Sequence, residues 1–153
     1  MDGKARLQSA LDHSEGTIPV DFGSTGVTGI HVSIVAELRR HYGLSPEPVK
    51  VYEPVQMLGW IEEDLRKAMG ITVQGVLPRN TNLGVPASDW KPWTTPWGQE
   101  VLIPGRLEVT YDDSGACYAY PAGNKSVPPS AKMPAGGYFF DAIPRQPRFD
   151  ENN

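Results

Sequence analysis

The densest group of chemically capable residues lies near the start of the chain. Asp21-Phe22-Gly23-Ser24-Thr25-Gly26 places a carboxylate, two hydroxyls and two glycines within six positions, and Gly29 and His31 follow closely. A carboxylate and hydroxyls can orient a polar substrate by hydrogen bonds. Glycines let backbone N–H groups approach it, and a histidine beside such a loop can serve in proton transfer. The spacing is G-x-x-G-x-x-G, not the G-x-G-x-x-G of dinucleotide sites, and no lysine follows as in a P-loop. The same residues equally suit a Gly-rich turn in which Asp21 and Thr25 bond local backbone and His31 is merely half-exposed.

Four further groups carry potential chemistry. Arg79-Asn80 follows an apolar segment and can meet an anionic ligand or form a loop salt bridge. Residues 89–97 hold Trp90, Trp93 and Trp97 among prolines and threonines. Aromatic platforms bind planar or sugar ligands, while Trp–Pro stacking also holds irregular segments together. Glu62-Glu63-Asp64 pairs carboxylates, but on the polar face of an expected helix it reads as a solvated surface. Cys117 has no adjacent cation or histidine, which disfavours a nucleophile or zinc ligand. His13 and His41 fall at expected helix ends and read as solvated.

Those residues need elements to position them. A short helix is predicted over residues 4–13, a strand over 17–22, and an amphipathic helix over 30–42. In that helix Ile30, Ile34, Val35, Leu38 and Tyr42 form one face, and Gly43 sits at its end. An extended link follows, then a second helix over 55–69 ended by Gly70, and a strand over 71–77 closed by Pro78. Two strands separated by helices favour a parallel, right-handed crossover. Ligand groups in such folds gather at the carboxyl ends of the strands. Of the 15 prolines, 11 lie from Pro78 onward. There, β-like pieces at 100–103, 107–111 and 116–120 suggest a small antiparallel meander, with residues 112–115 as a hairpin loop. A last strand is expected over 137–143, and residues 144–153 read as a polar tail.

Composition sets the outer bounds. The chain has 153 residues, a net charge of −4 and scattered cations, which argues against a nucleic-acid footprint or a polybasic membrane patch. One cysteine excludes an intramolecular disulfide within these residues. No apolar run reaches the roughly 18 residues of a membrane span, and no apolar secretory stretch stands at the N-terminus. A cytoplasmic protein is the expectation.

Taken together, several segments resemble the opening of uroporphyrinogen-decarboxylase-like proteins. They are Ile18-Pro19-Val20-Asp21-Phe22-Gly23 with Thr25-Gly26-Val27-Thr28-Gly29-Ile30-His31, and Val49-Lys50-Val51-Tyr52-Glu53-Pro54 with Gln56-Met57-Leu58. Trp90-Lys91-Pro92-Trp93-Thr94-Thr95-Pro96 belongs to the set, as do Pro128-Pro129-Ser130-Ala131-Lys132-Met133-Pro134 and Gly136-Gly137-Tyr138-Phe139-Phe140-Asp141-Ala142. The resemblance is to the branch similar to cobalamin-dependent methyltransferases and covers residues 6–143.

This resemblance implies an α/β fold: the N-terminal portion of a (β/α)8 TIM barrel with an inserted antiparallel β meander. Residues 1–77 would carry the first helix and the first two barrel strands with their helices, and 78–136 the insertion. Asp21, Ser24, Thr25, His31 and Arg79 would then line the substrate site at the barrel mouth. An unclosed barrel leaves an open edge, so marginal stability, self-association or completion by a partner is expected. The intact enzyme would transfer a methyl group between a corrinoid carrier and an acceptor, with a small molecule or a corrinoid protein as the methyl donor. Zinc and a corrinoid are implied for it, with the His-x-Cys and distant Cys zinc ligands in a C-terminal half, and no cofactor is expected within this chain. Decarboxylases of the family grip substrate carboxylates with two arginines and use an aspartate near the second strand. Residues 20–31 contain no arginine and 71–79 no aspartate. Uroporphyrinogen decarboxylation in porphyrin biosynthesis is therefore the second reading, and a non-catalytic truncated product or binding module the third.

Overall fold

The computed structural model describes residues 3–146. The helix α1, Gly3–Leu11, has no buried residue. It leans on residues 71–73 through Gly3, where a Cβ would come within 2.6 Å of the Thr72 carbonyl. The helix α2, Val32–His41, begins where the His31 ring Nδ1 accepts the Ser33 N–H. It buries Val32, Val35 and Arg39, and ends in Arg39, Arg40 and His41, the charge sign favoured at a helix C-terminus. Gly43 follows with φ +66°, a conformation that costs glycine little.

The strand β1, Val49–Glu53, is almost wholly buried. The expected helix over 55–69 does not begin after it. Instead the buried Glu53 carboxylate accepts the N–H groups of Val55 and Gln56 at 3.1 and 2.7 Å. That capture folds the chain into a tight turn through Met57, whose φ is +55°. The strand β2, Leu58–Gly59, then runs back antiparallel on β1. Gly59 is packed so closely that a Cβ would lie 2.9 Å from the Val35 side chain. Only Glu63–Ala68 is helical (α3), with Leu65 fully buried, and Gly70 terminates it at φ +68°.

The strands β3, Lys91–Thr94, and β4, Glu100–Ile103, form a hairpin around Trp97-Gly98. β4 also pairs parallel with β1, Val49 opposite Val101, giving a four-stranded sheet in the order β2-β1-β4-β3. The second sheet is an antiparallel meander of β5, Val109–Tyr111, β6, Cys117–Ala119, β7, Ala131–Met133, and β8, Asp141–Ala142, in that order. One apolar core joins the two: Val35, Val51 and Ile103 share it with Leu107, Met133 and Phe140. The Phe140 N–H donates to the Val55 carbonyl at 2.7 Å, tying the second sheet to the turn after β1.

This architecture corrects the expected barrel portion. Residues 17–22 and 71–77 are not strands of a parallel sheet. They lie side by side, with Val20 N–H donating to Thr72 Oγ1 at 2.9 Å and Thr72 N–H to the Val20 carbonyl at 3.0 Å, but no ladder develops. A barrel strand must be buried on both faces, whereas Ile18 is 79% and Val76 98% exposed. Pro19 and Pro78 remove donors that a ladder would need. Nor are there helices to coat a barrel, since the described residues form α-helices of only 9, 10 and 6 residues. The meander is not an insertion of the expected composition either. Residues 100–103 belong to the first sheet, and 107–111 and 116–120 shorten to β5 and β6 of the second. The last expected strand contracts to β8. Of the expected polar tail, residues 147–153 lie outside the described residues. Among the described residues no helix is long and apolar enough to cross a membrane.

Candidate functional site

Side chains alternate along a strand, so Lys50 and Tyr52 share one face of β1 while Val49 and Val51 enter the core on the other. Trp60 is held beside them because its N–H donates to the Lys50 carbonyl at 2.7 Å. Its ring meets Tyr52 edge-on, 5.9 Å between centroids. The facing wall is the loop of residues 77–90. Ala87 N–H to the Arg79 carbonyl at 3.1 Å and Thr81 N–H to the Val85 carbonyl at 2.8 Å close this loop on itself. Leu83 and Val85 anchor it in the core. Between the two walls is a cleft of about 460 Å³, bordered by Lys50, Tyr52, Trp60, Arg79, Pro86 and Trp90. A smaller hollow of about 210 Å³ adjoins it through Tyr52, Leu77 and Pro78, and is bordered further by Gly26, Gln56 and Asn82.

Charge and hydrogen bonding at the cleft are lopsided. Its border contains Lys50 and Arg79 but no carboxylate. Lys50 is neutralised in part by Glu62 at 2.8 Å, across the rim. Arg79 is exposed, and its guanidinium has no protein partner among the described residues. The indole N–H groups of Trp60 and Trp90 likewise have no protein acceptor among them. The Tyr52 hydroxyl donates to the Thr25 carbonyl at 3.0 Å. Burial, and then the charges of Glu53 and Asp21, push this phenol up to about 12. At neutral pH it is therefore a fixed donor and not a base.

The five residues expected at a common mouth divide into three places. Asp21 Oδ1 accepts the hydroxyls of Ser24 and, at 3.2 Å, Thr28. Thr25 Oγ1 accepts the Val27 N–H at 3.3 Å, and Ser24 is buried. These three side chains are spent on closing their own loop, which borders the smaller hollow through Gly26. Arg79 does border the cleft. His31 stands apart. With Nδ1 accepting the Ser33 N–H, the ring proton sits on Nε2, which donates to the Tyr138 carbonyl at 2.9 Å. Its ring packs against Trp97, 5.4 Å between centroids, and Tyr138.

The tryptophan cluster is also dispersed. Trp90 faces the cleft, Trp93 packs on the core, and Trp97 joins His31 and Tyr138. The acidic run is not simply solvated: Glu62 holds Lys50, Glu63 holds Lys67 at 2.6 Å, and Asp64 holds Arg39 with two bonds of 3.0 Å. The Arg39 guanidinium keeps the Asp64 carboxyl below its usual range. Neither Tyr52, which enters only within the 49–54 segment, nor Trp60 stands out in the sequence as a site residue. The signal available was the alternation of Lys50 and Tyr52 within a β-prone run.

The residues present do not fit zinc. Among the described residues no group of three His, Cys, Asp or Glu side chains is placed to hold a metal ion. Cys117 is fully buried, and burial pushes its thiol up to about 11. The cleft of about 460 Å³ has the size of a site for a compact ligand. Comparison of the chain with protein-family models, curated proteins and solved structures finds no match.

Proposed function

We propose that this chain forms the N-terminal, substrate-contacting part of a uroporphyrinogen-decarboxylase-like enzyme of the methyltransferase type. The intact enzyme moves a methyl group between a corrinoid protein and a small acceptor in the cytoplasm. The motifs quoted above motivate the family. The observation that carries a binding role is the cleft walled by Tyr52, Trp60 and Trp90 with the unpartnered Arg79 at its rim. These residues bind and orient: the rings enclose the acceptor and exclude water, Arg79 supplies a charge, and Tyr52 fixes the Thr25 loop against the adjoining hollow. Corrinoid and metal chemistry is assigned to a partner protein or to residues other than the described ones, and no step is routed through them here.

The test is recovery of the tagged protein, with whatever holds it, from its native cell. Loss of methylcobalamin absorption when candidate acceptors, aromatic acids among them, are added is the expected result. No methyl transfer removes the enzymatic reading. Uroporphyrinogen returned with fewer carboxylates replaces it by the decarboxylase reading, for which Arg79 would be one of the anion grips.

A further inference from the structure

Resting on the reading of the cleft as the acceptor site, we propose that its ligand is an aromatic or other flat unsaturated acid: a ring system carrying one anionic group. Three observations converge. Tyr52, Trp60 and Trp90 give three aromatic faces or edges around one space. Such walls favour flat π-systems through offset or edge-on contact. The second observation is the charge asymmetry. The border holds two cations and no carboxylate, and only Lys50 has an acidic neighbour, Glu62. A cationic ligand is thereby disfavoured, although aromatic walls alone would have suited one. The third is the donor surplus. The Arg79 guanidinium and both indole N–H groups lack protein acceptors among the described residues, and the Tyr52 hydroxyl hydrogen is already committed to Thr25. A guanidinium matches a carboxylate in a planar, two-bond geometry.

Size sets the remaining limit. A space of about 460 Å³ lies at the lower end of small-molecule sites. It accommodates one or two rings. The acid group is placed toward Arg79 at the rim, and the ring between Trp60 and Trp90.

The experiment is calorimetric titration of the purified chain with three probes: biphenyl-4-carboxylate, its primary amide, and the fully saturated bicyclohexyl carboxylate. The aromatic acid is expected to bind about tenfold more tightly than either analogue. Arg79→Gln is expected to weaken the acid about tenfold and leave the amide unchanged. Trp90→Leu weakens acid and amide alike, whereas Trp90→Phe retains most of the affinity. Arg79 is exposed, so its replacement leaves the melting temperature in place and a lost affinity is not a lost fold. Equal binding of acid and amide, equal binding of the saturated acid, an unaffected Arg79→Gln variant, or no binding of any probe each overturns the inference. Selective binding without methyl transfer by the recovered protein leaves this ligand class standing and removes the enzymatic reading. Methyl transfer without selective binding does the reverse.

Discussion

Tyr52 on β1 and Thr25 in the Gly-rich loop are joined by one hydrogen bond of 3.0 Å, phenol to carbonyl, between residues 27 apart in sequence. Through this bond the loop that looked most like a site becomes the backing of another. Tyr52→Phe removes the bond and keeps the ring. The expected cost is about 1 kcal/mol, with faster amide exchange at residues 23–29. The phenol also gives a signature in alkali. Its folded value of about 12 lies above the ordinary 10, so the folded protein holds this proton more tightly than the unfolded chain. Its contribution is complete below pH 10 and is lost as pH rises through about 12. Unfolding midpoints measured from pH 9 to 12 should fall, and fall less in Tyr52→Phe.

Arg39 and Asp64 join α2 to α3. The Arg39 side chain is 6% exposed and Asp64 44%, so the bond is half-shielded. Asp64→Asn leaves the buried guanidinium with the Ser45 carbonyl and no counter-charge. We expect a loss of about 2 kcal/mol in denaturant unfolding, less than for a fully buried pair because water reaches Asp64. The lowered carboxyl places this contribution above its unfolded value, and it declines as pH falls through the folded one. The stability difference between wild type and Asp64→Asn should therefore shrink in acid.

His31 is expected to matter for stability and not for the cleft. His31→Ala removes the cap of α2 and the bond to the Tyr138 carbonyl, for a loss of about 1–2 kcal/mol. Asn at this position restores the cap and recovers part of it. Binding of biphenyl-4-carboxylate should change less than twofold in both variants. A larger change would return His31 to the ligand site.

Cys117 is expected to be inert in the folded protein. It is fully buried in β6, with its thiol pushed up to about 11. Reaction with a thiol-specific disulfide reagent at pH 8 should be slow in buffer and complete within minutes in denaturant. Prompt labelling in buffer would show that β6 opens.

Legibility of the fold followed the range of the forces involved. The helix α2 was legible by its apolar spacing as a helix but not as a face, since Ile34 and Tyr42 are exposed while Val32 and Arg39 are buried; β4 and the 112–115 loop were legible by local chemistry. Asp112 Oδ1 accepts the Ser114 and Ala116 N–H groups, a bond pattern that five residues encode. The region after Glu53 misled, because its apolar residues keep helical spacing while a buried carboxylate takes the amides a helix would need. Parallel pairing of β1 with β4 spans residues 49 to 101 and leaves no local trace. At the site, Arg79 and Trp90 were visible by residue type. Tyr52 and Trp60 were hidden, one in an apparent link and the other in an apparent helix.

The Val55–Phe140 backbone bond and the His31–Tyr138 bond both join the first half of the chain to residues near 140. During synthesis the earlier segments emerge from the ribosome long before their closing partners do. The nascent protein must wait with Val51, Met57 and Val101 uncovered, a state that invites chaperones and proteases. Pausing translation between Val101 and Phe140 would prolong that vulnerable interval.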